Sequence, residues 1–419
     1  MKINLCNPGY KFKIANKCLL KKSEMTQNDV KENEILENPN SCYNRQLIEL
    51  QFSGIKKNKQ PTLIERSKGC LHGGAAGDAL GAKLEWLSVE NIKKIYGESG
   101  LRYIPKRNGE YRITDDTQMT LFTSEGLLNS FLKTLDIECE PNYNDIYNSY
   151  LNWYTTQIEE SPKDFCSSKL LQDKAFYSPR FPGKTCLEAL KNKTMGTLDE
   201  PINDSMGNGG IMRVAPIGIM YNSNPELAFK IGVKSAALTH GHPNAYLPAG
   251  FLASLIANLI NNISLEDSIR NSIDILKTYK GYQDTLECVK KAMIFSNTDK
   301  CPEDAIRNIG YGGRGDEALG IALYSVLKNP TNFKKALVTA VNHDGDSDST
   351  GSIAGNIMGA LVGVSGIPRN WVENIEHVQW LNAFSEALCI NTSDFALQKE
   401  SCENLQKRRD DDRLTETST

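Results

Sequence analysis

NHDGDSDSTGSIAGNIMGALVG, residues 342–363, joins a cluster of acids to a run of regularly spaced glycines. Asp344, Asp346 and Asp348 occupy every second position, and carboxylates this close repel one another unless a cation lies among them. Asp, Ser and Thr also cap helix N-termini, but three acids exceed what one cap needs. An EF-hand loop starting at Asp344 would require Gly at its sixth position and Glu at its twelfth, where this chain has serine and glycine. We therefore expect half of a split cation site, completed by a distant segment.

The glycines of the same stretch recur at every fourth position. Residues i and i+4 are neighbours on a helix, so this spacing predicts a helix with one small-residue face that a second helix can approach closely. In membranes such spacing marks helix dimers, but this run is too short to span a bilayer and begins among acids. The repeating positions are Gly351, Gly355, Gly359 and Gly363.

The composition favours a cytoplasmic protein that binds neither nucleic acid nor a membrane. The chain has 419 residues, a net charge of −3 and 40% hydrophobic residues, which suits one large domain or two ordinary ones with a sizeable core. Its 11 cysteines are odd in number and contain no CxxC pair, as expected for reduced thiols, and the histidines lack zinc-ligand spacing. We find neither a signal peptide nor an apolar run of membrane-spanning length.

Three regions follow from the distribution of charge and apolar residues. Residues 1–62 are rich in Lys and Asn and are either a partly disordered tail or a basic arm that contacts a partner. Within them, residues 47–55 could form one short strand. Residues 63–390 are predicted to form the main domain, and residues 391–419 a charged tail.

Apolar residues at helical spacing dominate the main domain, and few runs alternate as strands do, so we predict an all-α fold. The predicted helices beyond residue 220 span 225–240, 244–260, 264–279, 282–295, 315–328, 332–342 and 368–388.

A second acidic cluster precedes a helical pattern within residues 111–135. One Asp or Thr is an ordinary cap, whereas two adjacent acids again exceed that need, so this cluster is the natural second half of the split site. Together the two clusters offer hard oxygen ligands, which suit Mg²⁺ or Mn²⁺ better than Zn²⁺ or Cu²⁺. The candidate ligands are Thr114, Asp115, Asp116, Asp346, Asp348 and Ser349.

Three other features are ambiguous on their own. Glu85 follows a small-residue turn, where a glutamate is more often a solvated residue than a catalyst. Three glycines around Asn208 form either a simple turn or a loop whose backbone N–H groups can approach a ligand. His240 ends a predicted helix, where the helix dipole alone would favour a histidine.

Six segments taken together resemble the ADP-ribosylglycohydrolase family and occur in that family's order. They are GDALGAKLE (77–85), TDDTQM (114–119), GNGGIMRVAPIG (207–218), THGHP (239–243), DEALGIALYSVL (316–327) and NHDGDSDSTGSIAGNIMGA (342–360). Two departures stand out. Ser349 replaces the family's usual threonine, and YGGRG (311–315) lacks the usual Gly-Trp pair.

The resemblance implies a compact orthogonal multi-helix domain that binds two Mg²⁺ or Mn²⁺ ions and removes mono-ADP-ribose from modified proteins, most often from arginine. It assigns the six candidate ligands to the metals, and Glu85 and Asp346 to catalysis. It places Gly183, Ser205, Gly207, Asn208 and His240 at the ADP-ribose. Because some bacterial relatives are immunity proteins, an alternative is that residues 1–62 block a cognate ADP-ribosylating toxin, with or without hydrolysis.

Overall fold

A computed structural model describes residues 60–162 and 168–389, which are predominantly helical, as the sequence predicts. The first helices are α1 (Leu63–Gly81), α2 (Val89–Tyr96), α3 (Asp115–Thr134), α4 (Tyr143–Ile158), α5 (Lys169–Gln172), α6 (Lys184–Lys191), α7 (Ala215–Met220) and α8 (Pro225–Ala237). The others are α9 (Pro243–Ile260), α10 (Leu265–Leu276), α11 (Gln283–Ser296), α12 (Pro302–Ile309), α13 (Gly315–Lys328), α14 (Phe333–Val341), α15 (Ser347–Val362), α16 (Arg369–Glu373) and α17 (Val378–Ala387).

Helices α1 and α15 form the most intimate pair of the fold. They run antiparallel, and a Cβ built on Gly73 would lie only 2.2 Å from the carbonyl oxygen of Gly355. The close approach predicted from the α15 glycines is therefore confirmed. The α15 glycines face a second set of glycines on α1, which has the same four-residue spacing and which we did not predict. The facing positions are Gly69 with Gly359, Gly73 with Gly355, Gly77 with Gly351 and Gly81 with Ser347.

Helix α9 is the most completely enclosed element. Every residue from Leu247 to Ile260 is buried, as expected for a helix that is apolar on all sides. It packs against α7, α8, α10, α13 and α15, and so joins the glycine-paired α15 to helices from the middle of the chain.

The structure corrects one predicted helix and adds one hairpin. Strands β1 (Lys106–Arg107) and β2 (Glu110–Tyr111) pair antiparallel through an Asn-Gly turn, in which both residues have positive φ, as a type I′ turn requires. The helix predicted over 368–388 is broken between α16 and α17. Tyr111 pairs there instead, accepting from the Glu376 N–H and donating to the Asn374 carbonyl.

The other six predicted helices are present, with their ends shifted by less than one turn. Residues 1–59, with the strand predicted at 47–55, and the tail at 391–419 lie outside the described residues. Over the described ranges, no helix combines the length and apolarity needed to cross a membrane.

Candidate active site

The loop before α15 presents Asp346 without using it as a cap. Asp346 occupies the N-cap position, but its side chain makes no capping hydrogen bond. The backbone is held by other groups: the Asp346 N–H donates to the Tyr311 carbonyl at 2.8 Å, and the Gly345 N–H donates to His343 Nδ1 at 3.1 Å. His343 Nε2 lies 2.8 Å from the Thr350 hydroxyl. Capping alone therefore does not account for Asp346, whose carboxylate lines the cleft.

Asp344, the first acid of the same stretch, belongs to a different environment. One carboxylate oxygen accepts from the Val89 N–H at 2.7 Å, and the other pairs with Arg307 at 3.0 Å. Partial burial raises the pKa of Asp344, but these two partners outweigh burial and the net shift is downward. Asp344 therefore stabilises the start of α2 and is a neighbour of the acidic cluster rather than a member.

Asp78 fixes the second acidic segment to α1. This fully buried carboxylate accepts from the Thr114 N–H at 2.9 Å, and from the N–H and hydroxyl of Thr117. Thr114 in turn caps α3, because its side chain accepts from the Asp116 N–H at 3.3 Å. The two acids that follow Thr114 are thus held at the end of α3 nearest the glycine-paired helices. We did not predict this role, although Asp78 stands next to Gly77 in a helix of small residues.

The two acidic segments meet across the cleft. Carboxylate oxygens of Glu85, Asp346 and Asp348 lie within 4.8 Å of one another, and the Ser349 hydroxyl donates to Asp116 at 3.4 Å. The two acidic segments, which are distant in sequence, are thus brought together in the fold.

Burial and mutual repulsion oppose ionisation of this cluster. Burial, followed by the neighbouring carboxylates, raises the pKa values of Asp115, Asp116 and Asp348 well above their ordinary range. Burial and the charge of Asp346 raise the pKa of Glu85 to about 7. A nearby cation would reverse this effect by stabilising the charged forms.

Two features of the cluster suit divalent cations. Its ligand atoms are oxygens, and one buried carboxylate oxygen lacks a hydrogen-bond partner within the described part of the chain. Oδ2 of Asp116 is buried and has no hydrogen-bond partner among the described residues. Such an atom costs free energy unless something compensates it. Carboxylate and hydroxyl oxygens are the ligands that Mg²⁺ and Mn²⁺ prefer.

Ten of the twelve predicted site residues line one cleft: Glu85, Asp115, Asp116, Gly183, Gly207, Asn208, His240, Asp346, Asp348 and Ser349. Thr114 and Ser205 are not among its lining residues, and Ser205 lines a neighbouring pocket together with Thr185. The Ser205 hydroxyl lies 3.0 Å from that of Thr185 and accepts from the Gly207 N–H at 3.3 Å. The Gly183 N–H donates to Asp115 at 3.1 Å, so in this structure it orients a carboxylate.

The glycine-rich loop and His240 form the opposite wall. Asn208 ties this loop to the YGGRG segment: its N–H donates to the Gly313 carbonyl at 3.1 Å, and its amide donates to the Gly312 carbonyl at 2.8 Å. Burial, together with nearby Arg213, lowers the pKa of His240 to about 3. This environment therefore favours the neutral form of His240.

Two exposed aromatic residues at the cleft were absent from our prediction. Phe181 lines the cleft and Trp86 follows the cleft residue Glu85, and both have positive φ values, of 59° and 57°. Bulky residues rarely adopt this conformation, and it has no reliable signature in sequence.

Several known proteins are similar to this chain over most of its length. A model of the ADP-ribosylglycohydrolase family matches residues 59–396. ADP-ribosylarginine hydrolase Tri1 of Pseudomonas putida is 27% identical over 323 residues, covering 76% of this chain and 77% of that protein. ADP-ribosyl-(dinitrogen reductase) glycohydrolase of Rhodospirillum rubrum is 24% identical over 325 residues, covering 75% and 92%. A solved ADP-ribosylglycohydrolase-related protein complex, 22% identical, superposes with a TM-score of 0.54 over 78% of this chain and 98% of its own. The chain belongs to the ADP-ribosylglycohydrolase family.

Proposed function

We propose that this glycohydrolase releases mono-ADP-ribose from arginine side chains of proteins, with two Mg²⁺ or Mn²⁺ ions at the acidic cluster. The main support is that carboxylate oxygens of Glu85, Asp346 and Asp348 lie within 4.8 Å of one another. They do so in a cleft that Asp115 and Asp116 also line. The relative Tri1 of Pseudomonas putida is an ADP-ribosylarginine hydrolase, which supports arginine as the linkage.

The residue types suit cleavage of a ribosyl bond. Glycoside cleavage passes through an oxocarbenium-like transition state and needs a group that exchanges a proton. Divalent cations bound at these oxygens would hold the ribose hydroxyls and lower the pKa of a water. Glu85 is the carboxylate placed to exchange a proton with the leaving nitrogen or with that water, and burial and Asp346 favour its protonated form while no cation is bound.

The opposite wall suits the nucleotide part of the substrate. The loop around Asn208 has glycines on both sides, so its backbone can approach a pyrophosphate closely. His240 lies directly behind it: a Cβ built on Gly209 would lie 3.0 Å from the imidazole. A neutral imidazole can donate a hydrogen bond to an anion without carrying a charge. These support the proposed ADP-ribose contacts of Gly207, Asn208 and His240.

The test is release of ADP-ribose from an arginine-ADP-ribosylated protein, with Mg²⁺, with Mn²⁺ and with EDTA. We expect release that requires a divalent cation. Release that persists in EDTA would contradict the metal site. No release from arginine, together with release from serine-linked ADP-ribose, would contradict the linkage.

Toxin binding through residues 1–62 stays a prediction. Deleting these residues while measuring both hydrolysis and binding of an ADP-ribosylating toxin tests it. Loss of toxin binding with retained hydrolysis is the expected result, and unchanged toxin binding would contradict the role.

A further inference from the structure

Trp86 is a large aromatic residue that is exposed to solvent. Its side chain is 58% exposed, although most tryptophans bury their surface. Its backbone φ of 57° is unfavourable for a bulky residue and persists only where the surroundings impose it. The Trp86 N–H donates a hydrogen bond to the Gly345 carbonyl at 2.9 Å, and this bond holds the backbone of Trp86. Gly345 is the residue before Asp346. The loop that presents the acid therefore also fixes the tryptophan.

The indole has a neighbour at each of its ends. Nε1 donates to Glu85 at 3.1 Å. At the other end, Cη2 would lie 2.8 Å from a Cβ built on Gly313, so the absence of a side chain there is what admits the ring. The indole thus spans from the acid at the scissile bond to the YGGRG segment, and it leaves much of its surface to solvent.

The location indicates which part of the substrate meets this ring. Under the proposed function, the ribose C1″ lies at the acidic cluster and the nucleotide lies along the Asn208 loop. The modified side chain must leave the cleft toward the solvent, where the rest of the substrate protein is. Under that function Glu85 stands at the scissile bond, and the largely exposed residue that is hydrogen-bonded to it is Trp86.

An arginine side chain has the chemistry that this ring recognises. The guanidinium is planar, cationic and weakly hydrated, and it stacks on aromatic faces. A ring that already has a neighbour at each end loses little conformational entropy when such a group binds.

We propose that Trp86 stacks on the guanidinium of the modified arginine and so selects the linkage that is cleaved. This inference rests on the proposed function, because it takes the arginine-linked substrate as given. Trp86 is then a specificity residue that contacts the leaving group and makes no contact with the adenosine.

The test compares Trp86→Leu with Trp86→Phe. Both variants lose the hydrogen bond to Glu85, so any effect of that bond is common to them, and only Trp86→Phe keeps an aromatic face. We expect KM for an arginine-ADP-ribosylated protein to be about fivefold higher in Trp86→Leu than in Trp86→Phe. The affinity for free ADP-ribose, measured by calorimetry, should be equal in the two variants and in the parent protein. Tyr103→Leu removes another exposed aromatic side chain, one that neither lines the cleft nor adjoins a lining residue in sequence, and it should leave KM unchanged.

Two outcomes would overturn the inference. Equal KM values for the leucine and phenylalanine variants would show that the ring face is not used. A parallel loss of ADP-ribose affinity would show that the indole stacks on adenine instead. Failure of the parent protein to release ADP-ribose from arginine is a separate result, since it contradicts the proposed function before any variant is compared.

Discussion

Gly73 and Gly355 face each other across the α1–α15 interface so closely that neither can carry a side chain. A Cβ on Gly73 would lie 2.2 Å from the Gly355 carbonyl oxygen, and one on Gly355 would lie 2.0 Å from that of Gly73. This contact also assembles the site. The pairing ends with Gly81 against Ser347, so the turn that follows α1 carries Glu85 to the segment that begins with Asp346.

Replacing Gly355 with alanine tests this contact. Within an ordinary helix, glycine to alanine stabilises by up to about 1 kcal/mol. Here the new methyl group meets backbone atoms that cannot rotate away, so we expect the free energy of unfolding to fall by about 2–3 kcal/mol. Urea unfolding followed by circular dichroism measures it. The sign of the change in the free energy of unfolding is the test, because an unchanged or increased value would contradict the close approach.

Removing the charge of Asp346 should abolish turnover, while the same change at Asp344 should not. Asp346→Asn takes a carboxylate from the cluster, and we expect ADP-ribose release to fall by about 100-fold or more. Asp344→Asn is the matched control, because its partners are the Val89 N–H and Arg307, and an amide still accepts from the former. Steady-state rates for the two variants decide. Full turnover in Asp346→Asn, or equal losses in both, would rule out the proposed site.

Asp116→Asn should change stability in opposite directions with and without metal. Burial, with the charges of Asp78 and Asp115, disfavours the Asp116 carboxylate. In EDTA at pH 8, neutralising it should therefore raise the melting temperature. In the parent protein Mn²⁺ should raise the melting temperature, and this rise should shrink or vanish in the variant because one ligand is altered. Differential scanning fluorimetry measures both.

The control for that experiment is Asp274→Asn, which removes the same charge from an exposed position on α10. It should leave the Mn²⁺ response intact. A full Mn²⁺ response in Asp116→Asn would show that this carboxylate is not a ligand.

The features predicted from sequence were those encoded locally. Glycine spacing in residues 351–363 predicts a close helix partner because side-chain size and helical period suffice for that inference. Most of what was missed depends on distant contacts. The break before α17 exists because Tyr111, more than 260 residues earlier, pairs with the backbone around Asn374. Asp78 gains its role only when Thr114 is brought to it. Two missed features were nevertheless local: the four-residue spacing of the glycines on α1, and Asn108-Gly109, which is a turn signal typical of a hairpin.

His72 should make the protein less stable in mild acid. The fully buried ring bonds Asn382 through Nε2 at 3.0 Å. Burial, with a small contribution from Lys68, lowers its pKa to about 4, although the Asn382 bond opposes the shift. The unfolded chain keeps a histidine pKa of about 6.5. Between pH about 6.5 and about 4, His72 is therefore protonated in the unfolded chain but not in the folded protein. The free energy of unfolding accordingly decreases as the pH falls through this range.

His72→Gln isolates this contribution, because glutamine can still donate to Asn382 but does not titrate. Buried acids of the cleft contribute with the opposite sign, but equally in both proteins, and cancel in the difference. The difference in unfolding free energy between the parent protein and the variant should change by at most about 1.4 kcal/mol per pH unit across this window, and stay flat above it. Urea unfolding at a series of pH values measures it. Parallel curves would show that His72 titrates alike in both states, which would contradict its burial as a neutral ring.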